Sequence, residues 1–195
     1  MSRLAATFAE LAQKKRKALI PFVTAGDPNP QFTVPLMHAM VSAGVDIIEL
    51  GVPFSDPMAD GPVIQRASER ALAHHQSLRT TLAIATEFRK TNGHTPIVIM
   101  GYLNPVEVMG YEKFADAVHA AGIDGVLTVD LPPEEGEDIY TTLKHHGLEI
   151  VLLASPTTQP TRYSRYQQLK PSFIYYISRL AVTGIQGDLA STPAE

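Results

Sequence analysis

Two acidic side chains with unlike surroundings flank a short loop in the first third of the chain. Glu49 lies within residues 45–50, an apolar and β-branched run that predicts a buried strand, and Asp60 precedes Pro62, where a helix is expected to begin. Burying an ionised carboxylate costs free energy, so we expect the pKa of Glu49 to be raised or a cation to lie beside it. Two carboxylates with separated pKa values can divide the work of proton transfer, because one exchanges protons while the other stays charged. The pattern therefore predicts acid–base chemistry at this loop.

Simpler roles remain open for each acid at this point. Glu49 could be a structural acid paired with a lysine or arginine. Asp60 could do no more than cap the helix that follows, since aspartate is favoured at that position. Asp130 also follows an apolar run, but Leu131-Pro132-Pro133 comes next, and capping of the following helix is its expected role.

The histidines do not form a metal-binding pattern. His74-His75 and His145-His146 are adjacent pairs near predicted helix ends, so the two side chains of each pair point in different directions. No spacing such as His-Glu-x-x-His is present, and the chain has no cysteine. We expect no metal site, and disulfides and thiolate nucleophiles are excluded.

Length and charge narrow the class of protein. A chain of 195 residues can form one sizeable core and is too short to assume two domains. The net charge of -4 gives no electrostatic signature of nucleic-acid binding. No apolar run approaches the roughly 20 residues of a membrane helix, and the N-terminal segment lacks the apolar core of a secretory signal. We expect a cytoplasmic protein that binds neither nucleic acid nor membranes.

The elements that must position the acids alternate between strand and helix. The predicted strands are residues 18–23, 45–50, 96–100, 123–129, 148–153 and 173–178. The predicted helices are residues 2–17, 30–43, 62–90 with a break near 75–77, 111–121, 134–146 and 159–169. Residues 101–105 are expected to be a loop, and the basic run 14–17 is expected to be a solvated helix end.

This alternation predicts an α/β fold with parallel strands joined by right-handed crossovers. The first strand is not followed by a glycine-rich phosphate loop, which argues against a doubly wound open sheet. A (β/α)8 barrel fits better, although such barrels have eight strands in about 250 residues. We therefore expect residues 1–195 to be a single incomplete TIM-barrel domain that contains about the first six βα units, with strands seven and eight missing.

In such barrels the chemistry lies at the C-terminal ends of the strands. Side chains of several types are predicted there. They are Phe22, Glu49, Asp60, Met100, Tyr102, Leu127, Val129, Leu153, Tyr175, Thr183 and Gly184. The apolar members would line one pocket, although ordinary core packing explains each of them singly, and Tyr175 could be a core tyrosine.

The stretch 49–62 resembles the tryptophan synthase α-subunit family. The same order of motifs continues along the chain, in residues 21–28, 101–105, 130–135 and 178–184. The resemblance covers essentially the whole chain and the front part of the family, whose last two barrel strands have no counterpart here. Ala181 stands where the family usually has a glycine, so a stiffer loop is expected there.

The resemblance implies a carbon–carbon lyase of tryptophan biosynthesis, which cleaves indole-3-glycerol phosphate to indole and glyceraldehyde 3-phosphate by a retro-aldol step. It implies that Glu49 shuttles protons and that Asp60 stays ionised and accepts the ring N–H. The substrate contacts that it implies are Phe22, Met100, Tyr102, Leu127, Leu153 and Tyr175, with Thr183 and Gly184 in a lid.

The resemblance also implies a partner, the β subunit of an α2β2 heterotetramer. Asp56, Pro53 and Pro57 would lie in that interface. No cofactor is expected in this chain, and pyridoxal phosphate is expected only in the β subunit. Two alternatives stay open: another phosphosugar barrel lyase or isomerase, and a catalytically incompetent barrel fragment.

Overall fold

The structure is a computed structural model and describes residues 2–178. Its six strands form one parallel sheet in the order β1-β2-β3-β4-β5-β6. The strands are β1 (Phe22–Thr24), β2 (Ile48–Gly51), β3 (Ile97–Gly101), β4 (Gly125–Thr128), β5 (Glu149–Ala154) and β6 (Phe173–Tyr176). The helices are α1 (Arg3–Gln13), α2 (Pro30–Ser42), α3 (Pro62–Ala73), α4 (Leu78–Arg89), α5 (Leu103–Met109), α6 (Tyr111–Ala120), α7 (Glu137–His145) and α8 (Pro160–Leu169). The predicted α/β fold, with the first six units of a (β/α)8 barrel, is confirmed.

Side-chain alternation along β2 divides the core into two layers. Ile48 and Leu50 pack in the large cluster between sheet and helices. Ile47 packs in a smaller cluster with Val98 and Leu127, from the neighbouring strands. Because side chains of successive strands meet there, the sheet curls around this second cluster, which is the barrel interior.

Helix α1 closes the N-terminal end of the barrel interior. Leu4 is fully buried in the interior cluster, and Phe8 packs against it. The Phe8 ring meets the Phe173 ring of β6 edge to face, with 5.6 Å between centroids. The opposite end of the interior lies at the C-terminal ends of the strands, where barrels of this type have their functional sites.

A buried carboxylate ties α1 to the sheet. Asp124 accepts hydrogen bonds from Arg3 at 2.8 Å, from Arg89 at 2.9 Å and from the Ile97 backbone N–H at 2.9 Å. Charge-assisted bonds of this kind are stronger than neutral ones. The network joins α1, α4, β3 and the start of β4 at the end of the barrel away from Glu49.

Two of the boundaries that differ from the sequence prediction have a clear physical cause. Helix α1 ends at Gln13, because the backbone turns at Lys15, whose φ is +52°. The basic run lies directly at this helix end and is exposed, as expected, and Arg16 in it forms an ion pair with Asp46. Strand β1 begins only at Phe22, since residues before it bond to the sheet irregularly and Pro21 has no N–H for the ladder.

Residues 103–109 form helix α5, where a loop was expected at 101–105. Pro105 lies in the first turn, where a missing N–H leaves no helical hydrogen bond unmade. The Leu103 N–H is bound at 2.8 Å by the side chain of Asp130. Asp130 thus supports the start of α5, and its predicted capping of the following helix is wrong, since α7 begins after Gly136 without a side-chain cap.

The described residues contain neither a helix that could span a membrane nor a cluster of side chains that could bind a metal ion. Within 2–178, no helix has the length and apolar character that crossing a membrane requires. The same residues contain no group of three or more histidine or acidic side chains that could hold a metal ion.

Candidate active site

Glu49 is buried at the C-terminal end of β2, with 5% of its surface exposed. It lies beside Phe22 of β1 and Val98 of β3 in the sheet register. Within residues 2–178 its carboxylate makes no hydrogen bond or ion pair, and burial is the sole cause that raises its pKa from 4.5 to about 7. The raised pKa predicted from the sequence is confirmed, and no lysine or arginine among residues 2–178 pairs with Glu49.

Gly51 continues the interior face of β2 beyond Glu49. A Cβ at Gly51 would overlap the ring of Phe22. The missing side chain therefore lets the Phe22 ring lie over the end of β2. From the sequence, this glycine was expected only as part of the stretch 49–62, and its packing role was not predicted.

Asp60 lies in the loop before α3, with 6% of its surface exposed. Its Oδ2 accepts a hydrogen bond from the Tyr102 hydroxyl at 3.0 Å. Burial raises the pKa of Asp60, and the bond from Tyr102 opposes that rise. The N-cap of α3 is Gly61, with no side-chain cap, so the capping role considered for Asp60 is wrong.

Tyr102 joins Asp60 to the rest of its loop. Its hydroxyl accepts a hydrogen bond from the Ala59 N–H at 3.0 Å and donates to Asp60. Its ring stacks on Phe54 of the same loop, with 5.1 Å between centroids. The end of β3 therefore holds the loop that follows β2.

A small cavity, with a volume of about 10 Å³, opens beside Asp60. Its wall combines apolar side chains with a few polar groups. The lining residues are Phe22, Thr24, Gly51, Val52, Asp60, Ile64, Ser68, Met100, Gly101, Tyr102 and Val129. Ile64 and the buried hydroxyls of Thr24 and Ser68 were missed by sequence reasoning, because Ile64 and Ser68 come from α3, and the hydroxyl residues carry no motif.

The predicted apolar pocket residues are divided between two places. Phe22, Met100 and Val129 line the cavity beside Asp60. Leu127 is 1% exposed within the interior cluster, and Leu153 packs against that cluster. The structure thus brings the first three to the cavity and places the last two in the core beside it.

Tyr175 lies on β6, which pairs with β5 at one end of the described sheet. Its side chain is 41% exposed, so the alternative of a satisfied core tyrosine is wrong. Burial of the hydroxyl raises the pKa of Tyr175, and the negative charge of Glu49 adds to the rise. Phe173 and Ile47 both pack in the interior cluster, and alternation places Tyr175 and Glu49, two residues further along each strand, on the same interior face.

The residues predicted for the partner interface lie on the loop after β2. Pro53 is buried and Pro57 half-buried, whereas Asp56 is exposed and accepts a hydrogen bond from Ser55 at 2.5 Å. Met58 beside them is 79% exposed. Thr183, Gly184 and Ala181 lie outside the described residues.

Sequence comparison relates the chain to one family of known proteins. The family model described as tryptophan synthase alpha chain matches residues 8–194. The tryptophan synthase alpha chain of Thioalkalivibrio sulfidiphilus is 60% identical over 184 residues, which are 94% of this chain and 69% of that protein. The tryptophan synthase alpha chain of Methylococcus capsulatus is 59% identical over the same shares of the two chains.

Solved structures give the same family. Tryptophan synthase subunit alpha from Legionella pneumophila is 48% identical and superposes with a TM-score of 0.89, over 91% of this chain and 68% of that one. A chain from the tryptophan synthase α2β2 complex of Pyrococcus furiosus is 39% identical, with a TM-score of 0.77 over 82% of this chain and 67% of that one.

Proposed function

The chain belongs to the tryptophan synthase alpha chain family, and we propose that its site cleaves indole-3-glycerol phosphate to indole and glyceraldehyde 3-phosphate. The observation that carries the proposal is the pair of acids: a buried Glu49 without a partner among residues 2–178 and, on the loop that follows, an Asp60 that lines a mainly apolar cavity. The walls of this cavity include Phe22 and Met100, side chains of the type that pack against a flat aromatic ring.

The proposed reaction uses Glu49 twice. In its acid form it donates a proton to the ring carbon that carries the glycerol chain, and the resulting carboxylate takes the proton from the adjacent glycerol hydroxyl. The carbon–carbon bond then breaks, its electron pair returns to the ring, and the hydroxyl carbon becomes the aldehyde. Because one proton is given and one is taken, Glu49 ends in its starting form. A pKa of about 7 suits both steps near neutral pH.

Asp60 has the complementary role in this proposal. Protonation of the ring carbon places positive charge on the ring nitrogen, whose N–H would be bound by the Asp60 carboxylate. Tyr175, which lies on the same interior face as Glu49, is proposed as a substrate contact, together with Phe22, Met100, Tyr102, Leu127 and Leu153. Thr183 and Gly184 are proposed as parts of the lid.

The proposed partner is a tryptophan synthase β subunit, because the related chain from Pyrococcus furiosus comes from an α2β2 complex. The proposed contact surface for the β subunit is the loop after β2, beside the site. It includes the exposed Asp56 and Met58, together with Pro53 and Pro57. We propose that this chain needs no cofactor, since its step is proton transfer, and that pyridoxal phosphate belongs to the partner. A single domain over residues 1–195 and a cytoplasmic location complete the proposal.

The test is an assay of indole release by the purified chain, with Glu49→Gln and Asp60→Asn beside the wild type. Loss of a general acid–base should lower turnover by about 100-fold or more in Glu49→Gln. Asp60→Asn should also turn over slowly while it folds normally. The matched control is Asp138→Asn, which alters an exposed acid on α7 outside the cavity. Near-normal turnover in Glu49→Gln, or no indole release by the wild type, would contradict the proposal.

A further inference from the structure

We propose that Tyr102 is a positioning residue for Asp60, which fixes one carboxylate oxygen, leaves the other for the substrate and keeps the carboxylate ionised. This role differs from the substrate contact for which the sequence singles out Tyr102. It deepens the proposed function, since it assigns the group that prepares Asp60 for a positive ring.

The direction of the two hydrogen bonds at the Tyr102 hydroxyl supports this role. A backbone N–H can only donate, so the Ala59 N–H occupies an acceptor site on the Tyr102 oxygen at 3.0 Å. The single hydroxyl proton is then directed to Asp60 Oδ2, also at 3.0 Å. A protonated Asp60 would compete for the same hydroxyl, whereas a carboxylate only accepts. The arrangement therefore favours the charged form of Asp60.

The hydrogen bond from Tyr102 engages only one of the two Asp60 carboxylate oxygens. Asp60 Oδ2 is bound to Tyr102, while Oδ1 has no hydrogen-bond partner among the residues that the structure describes. Asp60 lines the cavity. Oδ1 is thus the oxygen available to an N–H donor that enters from the cavity.

Tyr102 is itself held firmly by burial and ring stacking. The residue is 5% exposed, and its ring stacks on Phe54 at an interplanar angle of 27°. Its backbone directly precedes α5, whose first N–H is held by Asp130. A hydroxyl on such a support has little freedom to turn away, which is the property that a positioning group requires.

Charge and burial agree with this geometry. Burial alone would raise the pKa of Asp60 and favour its neutral form, and the Tyr102 hydrogen bond acts against it. Burial, together with the charge of Asp60, raises the pKa of Tyr102, so the hydroxyl keeps the proton that it donates. Removal of the hydroxyl leaves burial unopposed at Asp60.

The experiment follows the titration of Asp60 directly, without turnover. Carboxyl carbons of aspartate are labelled with ¹³C, and the Asp60 signal is identified by its loss in Asp60→Asn. In Tyr102→Phe, which keeps the ring and its stacking, the Asp60 midpoint should move to higher pH. The control is Tyr140→Phe, which removes another buried hydroxyl, bonded to the Leu131 carbonyl at 3.2 Å, and should leave Asp60 unchanged.

A second measurement uses the wild type, so the inference can be tested even if Tyr102→Phe folds poorly. With ¹³Cζ-labelled tyrosine, the Tyr102 signal should shift at the same midpoint as Asp60, because the bond weakens when the carboxylate is protonated. An unchanged Asp60 midpoint in Tyr102→Phe, an equal shift in Tyr140→Phe, or a Tyr102 signal that ignores Asp60 would overturn the inference. None of these results depends on indole release, so they are distinguishable from failure of the proposed function.

Discussion

At the scale of single residues, the site places a carboxylate where folding alone would not favour one. Glu49 is surrounded by apolar strands and lacks a partner within residues 2–178, so its charged form is destabilised. A buried charge that remains uncompensated weakens the folded state. The same burial brings the pKa of Glu49 to about 7, which acid–base chemistry near neutral pH requires.

We predict that Glu49→Gln is more stable than the wild type at alkaline pH. The folded pKa of about 7 lies above 4.5, so the folded wild type binds more protons than the unfolded chain between these values and loses stability as pH rises through them. Above pH 7 the gain from Gln should reach at most about 3 kcal/mol, and below pH 4.5 it should vanish. Urea unfolding of Glu49→Gln and the wild type at pH 8 and at pH 4 measures the difference in stability at each pH. The control is Glu69→Gln, at an exposed position on α3. Equal stability of Glu49→Gln and wild type at pH 8 would contradict the burial argument.

A second residue-scale prediction concerns Gly51 and the Phe22 ring above it. Gly51→Ala places a methyl group where that ring lies, and overpacking of this kind costs about 1–3 kcal/mol. Phe22→Leu should relieve the clash, so the double variant should lose less stability than the sum of the single losses. Thermal or urea unfolding of the four proteins gives the interaction free energy. Simple additivity would show that the two side chains do not compete for space.

The sequence predicted Glu49 better than it predicted the surroundings of Asp60. Apolar neighbours along one strand are enough to indicate a buried acid, because alternation is local. The Tyr102–Asp60 bond joins residues 42 positions apart, and the hydroxyls of Thr24 and Ser68 reach the cavity from different elements. Contacts of this range depend on how the loop folds over β3, which no local pattern specifies.

At the scale of secondary-structure elements, the order and type of the helices and strands were predictable from the sequence, but the residues at which they begin and end were not. The break between α3 and α4 was expected near residues 75–77, and the helices meet there. Helix α5 was missed because its first turn contains Pro105 and its first N–H donates a hydrogen bond to Asp130, which follows the next strand. Tertiary contacts therefore determine whether a short element such as α5 forms.

Helices α6 and α7 are joined by a histidine whose two ring nitrogens both face acceptors. In His146, Nδ1 lies 2.8 Å from the Thr142 carbonyl oxygen, and Nε2 lies 3.1 Å from Asp116 Oδ1 and 3.6 Å from Glu112 Oε2. Only the protonated ring donates from both nitrogens. The Thr142 carbonyl first, and then Asp116 and Glu112, raise the pKa of His146, against a smaller opposite effect of burial.

We predict that this contact stabilises the chain in acid and not in base. Because the folded pKa is raised above 6.5, the stabilisation is complete below that value and is lost as pH rises through the folded pKa. His146→Gln should therefore lower the urea midpoint at pH 5.5 and leave it nearly unchanged at pH 9. His119→Gln, at an exposed position on α6, is the matched control. A loss of equal size at both pH values would assign His146 a packing role instead.

At the scale of the whole molecule, the described sheet has two outer strands. Within residues 2–178, β1 pairs only with β2 and β6 only with β5. On β6, Ile174, Tyr175 and Tyr176 are each about 40% exposed. An outer strand with unpaired backbone groups and exposed apolar side chains invites pairing with another chain.

We therefore predict that the purified 195-residue chain self-associates as its concentration rises. Sedimentation velocity over a hundredfold concentration range should show a growing fraction of dimers and larger species. Ile174→Lys should reduce that fraction, because a charge on an outer strand opposes edge-to-edge pairing. Thr161→Lys adds the same charge at an exposed position on α8 and should leave association as it is in the wild type. A monodisperse monomer at every concentration, or an equal effect of the two lysines, would show that the outer strands do not drive association.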